Sequence, residues 1–299
     1  MRTADEADNL EISELEATLA GPTKSHSVGI RILHALPWIW IVLILLAGLL
    51  GGLILGSRPT TISGDILQPP SGSHLMGTDE LGRDVFARVI SGAGTSVKVA
   101  GLAVLVAFVI GGPLGIFAAV GPRWLDELIM RTNDIVLAFP AIALALMVSL
   151  LLGPELIFVA LLIGIIVSPH IARLVRGRLA SEMRQGYVDA ERSTGASLIR
   201  ILFVHVSRNI AAPIGVYCLL LFADSMLFEA ALSYVGVGIQ PPTASWGNMI
   251  LQGQKLLVVG AWWVSVFPGI FLFLTVASIN SIGDRWARRI DPLLRQSGG

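Results

Sequence analysis

The stretch that decides the fold is VAGLAVLVAFVIGGPLGIFAAVGP, residues 99–122. No ionisable side chain interrupts it, and it is longer than the roughly 20 helical residues that cross the hydrocarbon core of a bilayer. A charge at the centre of such a helix costs about 2.5–3.5 kcal/mol on insertion scales, so a long charge-free run is typical of a transmembrane helix. The sequence therefore predicts a membrane protein.

Other apolar runs extend this prediction to the whole chain. Hydrophobic residues make up 54% of the 299 residues and charged residues only 14%, which is well below the share in soluble domains. The further runs are residues 35–57, 135–154, 156–172, 209–223 and 256–283, of which 209–223 must continue past Asp224 to span a bilayer. We therefore expect an all-α polytopic membrane protein with six transmembrane helices.

Small residues at four-residue spacing lie on single faces of these predicted helices. They are Gly48, Gly52 and Gly56 in the first run, and Gly111 and Gly115 in the second. Because a glycine lets two helix backbones approach closely, these positions predict helix–helix packing.

Charge and composition exclude several classes of function. Lys plus Arg and Asp plus Glu are each 21, so no net positive charge indicates a nucleic-acid partner. No Gly-Lys pair is present to end a phosphate-binding loop, so any ATP would have to be bound by another subunit. The five histidines form neither HExxH nor a Cys/His cluster, and we expect no catalytic residue and no metal site. Redox chemistry at the single cysteine, Cys218, is not expected.

The distribution of Lys and Arg predicts the orientation. Most of them fall in segments that lie inside when the chain starts in the cytoplasm, so both termini are placed there. Residues 1–34 are expected to form an acidic cytoplasmic tail, and residues 285–299 a second cytoplasmic tail. The run 35–57 begins too far into the chain for a cleaved signal peptide, so it is expected to remain as an anchor helix.

The most informative segment is the predicted cytoplasmic loop 171–208, which is rich in arginine and longer than a helix connection requires. Apolar residues recur at helical spacing through Leu179, Met183, Tyr187 and Ala190, and Gly195 separates them from a second such set. This pattern predicts a short helix on the cytoplasmic face. It could enter a groove on a soluble partner, or lie on anionic lipid.

Ionisable residues within the predicted spans are few, which bears on the mechanism. Only Asp224 lies inside one, and it could line a pathway or an extracytoplasmic interface. Asp134 and Glu229 are explained by positions near span ends. An ion-coupled secondary transporter would ordinarily carry more such groups at the midplane. Ser168 and His170 face different sides of a helix, which argues against a protease dyad.

The stretch YVDAERSTGAS, residues 187–197, resembles the EAA loop of ABC importer permeases. Further segments resemble the C-type subunits of dipeptide and oligopeptide permeases, in colinear order over residues 35–292. These are HLMGTDELGRDVFARVISGAGTSV (74–97), MRTNDIVLAFPAI (130–142), EAALSYVGVGIQPPTASWGNM (229–249), FPGIFLFLTVASINSIGD (267–284) and Asp291-Pro292. One such match could arise by chance, but a colinear series is far more specific.

The resemblance implies the transmembrane domain of a type I ABC importer. It places an extracytoplasmic loop at 58–96 and five further helices within 97–284. The coupling helix that docks on an ATPase would use Tyr187, Asp189, Ala190, Glu191, Arg192, Gly195, Ala196 and Ser197. The family motif of the extracytoplasmic loop comprises Gly77, Thr78, Asp79, Gly82, Arg83 and Asp84.

The same resemblance implies the partners and the location. Expected partners are a second, B-type permease, two ABC ATPase domains that bind ATP and Mg, an extracytoplasmic substrate-binding protein or lipoprotein, and membrane lipid, in a bacterial inner membrane. The substrate would be a dipeptide or oligopeptide, with nickel or another small ligand as the alternative. The chain departs from the family in reading Asp189-Ala190-Glu191 for E-A-A and Ser207-Arg208 for Leu-Pro. Glu191 is expected to pair with Arg192 or with a basic groove on the ATPase.

Overall fold

The computed structural model describes residues 28–56, 58–153 and 155–290, and the regular secondary structure in these ranges is helical. The helices are α1 Val28–Leu55, α2 Val85–Val120, α3 Arg123–Ala138, α4 Ala141–Leu152, α5 Leu156–Glu182, α6 Gly186–Ser193, α7 Leu198–Arg200, α8 Ser207–Val235, α9 Trp246–Leu256 and α10 Trp263–Ile290. A π-helical turn, Ile201–Val206, joins α7 to α8, and a 3-10 turn, Leu257–Val259, follows α9. The described residues contain no strand, only an isolated bridge between Thr78 and Asp84, so the all-α prediction is confirmed. Residues 1–27 of the predicted acidic tail and 291–299 of the C-terminal tail lie outside the described residues.

Five helical stretches of the described chain are long and apolar enough to cross a membrane. They are Ala35–Leu55, Val85–Val120, Leu156–Glu182, Leu198–Val235 and Trp263–Ile290. Helices α3 and α4 together supply a sixth, but they meet at an angle of 87°. The prediction of six spans is confirmed if this bent pair counts as one.

The bend lies inside a segment that the sequence predicted as one span, residues 135–154. Pro140 has no amide hydrogen and its ring disfavours a helical conformation in the residue before it. Phe139 accordingly adopts extended backbone angles, with φ −82° and ψ 139°. The break therefore follows from local covalent geometry, and α4 alone is too short to cross the bilayer.

Helix α2 starts well before residue 97, where the sequence placed the end of the extracytoplasmic loop. Asp84 caps it, because its Oδ1 accepts a hydrogen bond from the Ala87 amide at 2.8 Å. Arg88 and Lys98 interrupt the apolar pattern and hid this first part of the helix, but Arg88 is only 1% exposed and lies 3.5 Å from Asp79. At 36 residues, α2 is about 54 Å long.

Glycines hold α2 close to its neighbours. A Cβ on Gly115 would lie 2.6 Å from the Ala172 carbonyl oxygen of α5, and Gly111 faces the same helix. A Cβ on Gly48 of α1 would lie 3.0 Å from the Gly94 Cα of α2. Packing at Gly48, Gly111 and Gly115 agrees with the sequence prediction, whereas Gly52 and Gly56 have open space beside them.

After α8 ends at Gly236, the chain continues into α9, which packs against α8 and α10. Trp246 at the start of α9 is fully buried, and its Nε1 donates a hydrogen bond to the Val89 carbonyl of α2 at 3.0 Å. This indole ties the returning segment to the first turns of α2.

Candidate functional site: a short helix, a cavity and a buried motif

Helix α6 lies between the ends of two long helices and is fixed to both. Val188 is fully buried and packs with Leu179 of α5 and with Ile201 and Val206 of the π-helical turn. Tyr187 donates a hydrogen bond from its hydroxyl to Glu182 Oε2 at 2.7 Å. Partial burial, together with the Glu182 carboxylate, raises the pKa of the Tyr187 phenol, so the phenol keeps the proton that it donates.

The far side of this contact belongs to α8. Asn209 Nδ2 donates to Glu182 Oε2 at 3.2 Å and approaches the Tyr187 hydroxyl at 3.3 Å. The end of α5, helix α6 and the start of α8 therefore share one hydrogen-bonded group.

Helix α6 stops where the sequence predicted. Gly195 has a φ of +84°, a left-handed conformation that is open to glycine and strained for most other residues. Its amide donates to the Arg192 carbonyl at 3.0 Å, and the Ala196 amide donates to the Glu191 carbonyl at 3.1 Å. Ser197 then caps α7 by accepting from the Arg200 amide at 3.4 Å.

The outer face of α6 carries Asp189, Ala190 and Arg192, all exposed. Arg192 lies 3.7 Å from Asp189, one helical turn away. Glu191 was expected to pair with Arg192 or to reach a partner, but its Oε1 lies 3.5 Å from Nε2 of His205 in the π-helical turn. Residue 191 faces the protein, because residues 189 and 192 occupy the outer side of the helix.

A cavity of about 360 Å³ lies where α5, α8 and the bend between α3 and α4 meet. Helix α8 contributes Tyr217, Leu221, Asp224 and Phe228, whose four- and three-residue spacings place them on one face. The other walls consist of Val136, Leu137, Phe139, Ala141, Ile166, Val167 and His170. The cavity is therefore mostly apolar, with three polar side chains at its surface.

Asp224 is the one carboxylate among the described residues that line this cavity, and its side chain is exposed. It makes no ion pair or hydrogen bond with the described part of the chain, and Tyr217 lines the same cavity. His170 is exposed on the opposite wall. Ser168 is buried and donates to the Ile165 carbonyl of its own helix at 2.9 Å, so it forms no dyad with His170.

The motif at residues 77–84 forms the inside of the loop that precedes α2, which the sequence predicted to be extracytoplasmic. Asp79 is 2% exposed; its Oδ1 accepts from the amides of Leu81 and Arg83 at 2.9 and 3.0 Å. Its Oδ2 accepts from Arg83 Nε at 2.7 Å and lies 3.5 Å from Arg88 Nε. This carboxylate organises one turn of backbone and two buried guanidinium groups at once.

The remaining motif residues are also turned inward. Thr78 Oγ1 accepts from the Gln68 amide at 2.8 Å, and the Thr78 carbonyl accepts from the Trp263 indole at 3.0 Å. Gly77 has a φ of +75°, and a Cβ there would lie 2.7 Å from the same indole.

The end of the motif connects to α2. Asp84 caps α2 and lies 2.9 Å from His74 Nδ1. Gly82 has a φ of +73°. The motif therefore holds the loop on α2 and α10, and exposed residues such as Leu75, at 65%, form its outer surface.

Sequence reasoning missed the environment of Glu229, which it explained by a position near a span end. The side chain is fully buried: Oε2 accepts from Ser96 of α2 at 3.1 Å and Oε1 from Ser233 of α8 at 2.7 Å. Ser233 in turn accepts from the Ile239 amide at 3.0 Å. Ser233 at i+4 is the one local signal of this network, since Ser96 is distant in sequence.

Two ion pairs between α3 and α5 were also not predicted. Arg176 Nε lies 2.5 Å from Asp126 Oδ1, and Arg173 pairs with Asp134. Asp134, which the sequence placed at a span boundary, thus belongs to a clamp that joins the bent helix pair to α5.

Comparison with known proteins gives three kinds of match. The family model described as binding-protein-dependent transport system inner membrane component matches residues 111–296. A putative peptide transport system permease protein of Brucella abortus is 39% identical over 259 residues, which is 86% of this chain and 87% of that protein. The di/tripeptide permease DppC of Pseudomonas aeruginosa is 38% identical over 78% of each chain, and the dipeptide permease DppC of Escherichia coli K12 is 36% identical over 86% and 88%.

Among solved structures, an inward-facing conformation of the MetNI methionine ABC transporter matches with a TM-score of 0.55. The match covers 68% of this chain and 96% of that one at 22% identity. At this level of identity, the likeness establishes a shared fold.

Proposed function

Because the chain belongs to the family of binding-protein-dependent transport system inner membrane components, as a subunit of the DppC/OppC type, we propose that it forms half of the translocation pathway of a peptide importer. As a member, it is an integral inner-membrane permease of a type I ABC importer and is not itself catalytic. The finer proposal concerns its substrate, its coupling and its partners.

Dipeptides or oligopeptides are the proposed substrates. Relatives at 36–39% identity over most of the chain carry peptide, dipeptide or di/tripeptide transport in their names. A second, B-type permease would supply the other half of the pathway, and an extracytoplasmic binding protein or lipoprotein would deliver the peptide. ATP and Mg would be bound by two partner ATPase domains. Both termini would lie in the cytoplasm.

The observation that carries the coupling proposal is the set of contacts that fix α6 to its neighbouring helices. Its buried side, Val188 and Tyr187, contacts both α5 and the start of α8, and its outer side presents Asp189, Ala190 and Arg192. A force applied to α6 from the cytoplasm would therefore reach two of the helices that wall the Asp224 cavity. Such rigid-body rearrangement between two discrete states is how ATP-driven closure would open the pathway to each side in turn.

The bent pair α3–α4, which forms the third wall of the cavity, would move with α5 and α8. Arg173 and Arg176 of α5 pair with Asp134 and Asp126 of α3, which runs directly into the bend at Phe139. A displacement of α5 is thereby transmitted to the bent pair. We assign Asp224, between these walls, to the translocation path.

Reconstitution tests the function. The chain would be placed in proteoliposomes with the B-type permease, the ATPases and the delivery protein, and uptake of radiolabelled alanyl-alanine would be followed. Uptake should require ATP and every one of these partners. Uptake by this chain alone under a proton gradient would identify an ion-coupled secondary transporter, and uptake of nickel without peptide uptake would reassign the substrate.

A further inference from the structure

We infer that the Asp224 cavity is a subsite for the ammonium group of the transported peptide. The inference rests on the proposed peptide-import function and adds the chemistry by which this subunit holds its substrate. It follows from the position, the charge and the surroundings of a single carboxylate.

An ionised carboxylate at the position of Asp224 needs water, a partner charge or a bound cation to stabilise it. A carboxylate within a span costs about 2.5–3.5 kcal/mol on insertion scales, and ionisable groups there usually face a pathway or a partner charge. Asp224 lies on the same face of α8 as Tyr217, Leu221 and Phe228 and has no ion pair in the described chain. The carboxylate at the centre of this face is therefore available to a ligand.

The walls favour an ammonium ion over an anion. Asp224 supplies negative charge, and the rings of Phe139, Tyr217 and Phe228 line the same cavity. The face of an aromatic ring attracts a cation at short range, whereas the carboxylate repels the C-terminus of a peptide. His170 is the one further titratable side chain that lines the cavity among the described residues.

The size of the cavity matches the end of a peptide. About 360 Å³ lies near the lower limit for small-molecule sites, so it accommodates an N-terminal residue but not a long chain. Every peptide with a free N-terminus carries the ammonium group, mostly protonated at pH 7. One charged contact among apolar walls would select this shared group while leaving binding weak enough for release.

Charge variants test the subsite in the complete importer. Asp224→Asn should lower the maximal rate of alanyl-alanine uptake by roughly tenfold, the loss expected for one charge-assisted hydrogen bond. Asp224→Glu should retain most of the rate, and Asp224→Lys should be slower than Asp224→Asn. Glu127→Gln is the matched control, because Glu127 pairs with exposed Arg123 at the surface of α3. Unchanged uptake in Asp224→Asn and Asp224→Lys would overturn the inference.

Photocrosslinking tests binding directly. The photoreactive residue p-benzoylphenylalanine replaces Phe228, one turn from Asp224, and the purified importer is illuminated with a biotin-tagged dipeptide carrying a free or an acetylated N-terminus. Capture of the free form alone, lost on Asp224→Asn, is the expected result. Equal capture of both forms would overturn the subsite and leave peptide import intact.

Two further outcomes separate the causes of failure. If Asp224→Asn prevents the two permeases from co-purifying, the carboxylate pairs with a cation of the partner and the inference is overturned. If the wild-type importer moves no peptide but the free N-terminus is still captured in the cavity, the proposed function fails while ammonium recognition stands.

Discussion

Asp79 illustrates how single residues of a recognisable motif serve the fold. Its carboxylate is buried with two guanidinium groups, so all three charges depend on one another. The motif could be recognised from its residue types, but the sequence does not show that its side chains point inward. The pair of Asp79 and Arg88 joins the loop before α2 to the first turns of α2. The charge of Arg88 hid these turns from the sequence prediction, and the two residues meet only in the folded chain.

Removing that carboxylate should destabilise the loop that precedes α2. Asp79→Asn leaves Arg83 and Arg88 buried without their anion, a change that typically costs about 3–5 kcal/mol. We expect a marked loss of folded protein and a lower melting temperature of the purified complex in detergent. Glu127→Gln, which breaks an exposed pair worth at most about 1 kcal/mol, should leave the melting temperature nearly unchanged. Equal melting of both variants would contradict the structural role.

Gly195 provides a test at the end of α6. Nothing lies within 4 Å of a Cβ built there, so the effect of a side chain comes from the left-handed φ of +84° alone. Gly195→Val should displace the end of α6, leaving membrane insertion intact but lowering peptide uptake per ATP hydrolysed. Gly195→Asn should retain most of the uptake, because Asn tolerates this conformation. Full coupling in Gly195→Val would remove the role proposed for α6.

Among the elements, the bent pair α3–α4 and the long helix α2 depart most from the sequence prediction. Charge-free runs located most of the apolar helices, because insertion energetics acts on local composition. The same rule failed where Arg88 lies inside a helix, since burial with Asp79 compensates its charge. Pro140 pointed to a possible kink in this run, but the rule could not give the angle of 87° between α3 and α4.

The clamp between α3 and α5 can be tested by exchanging charges. Arg176→Asp or Asp126→Arg alone places like charges together and should lower peptide uptake several-fold, since α5 then moves without the bent pair. The double exchange, Arg176→Asp with Asp126→Arg, should recover a large part of the rate. The same exchange at the exposed pair Arg123 and Glu127 serves as the control. Failure of the double exchange to recover uptake while the complex assembles would contradict transmission through this pair.

At the scale of the whole molecule, the number of spans and their order were accessible from sequence, whereas the cavity was not. Its walls come from three stretches far apart in the chain, and only Asp224 was predicted beforehand as a candidate for the pathway. Glu229 shows the same limit, because its partner Ser96 is 133 residues away. Tertiary contacts of this kind leave no periodic trace in a single sequence.

The proposed orientation predicts which surfaces a membrane-impermeant reagent reaches. In a Cys218→Ser background, Ser71→Cys in the extracytoplasmic loop should react with an impermeant maleimide in cells whose outer membrane has been permeabilised. Ser193→Cys at the end of α6 should react only after the inner membrane is opened as well. Both positions are exposed, so accessibility depends on the side of the membrane. The reverse pattern would invert the topology.

The length of α2 has a consequence for how relatives of this chain can diverge. About 54 Å of continuous helix exceeds a hydrocarbon core of about 30 Å. Helix α2 therefore extends beyond the core to the loop that Asp79 and Trp263 hold in place. Each residue turns an α-helix by about 100°. One inserted residue would therefore rotate this loop about the α2 axis by that angle and shift it along the axis by only about 1.5 Å. Insertions and deletions in α2 should therefore be tolerated only in numbers close to whole turns, which restore the helical phase.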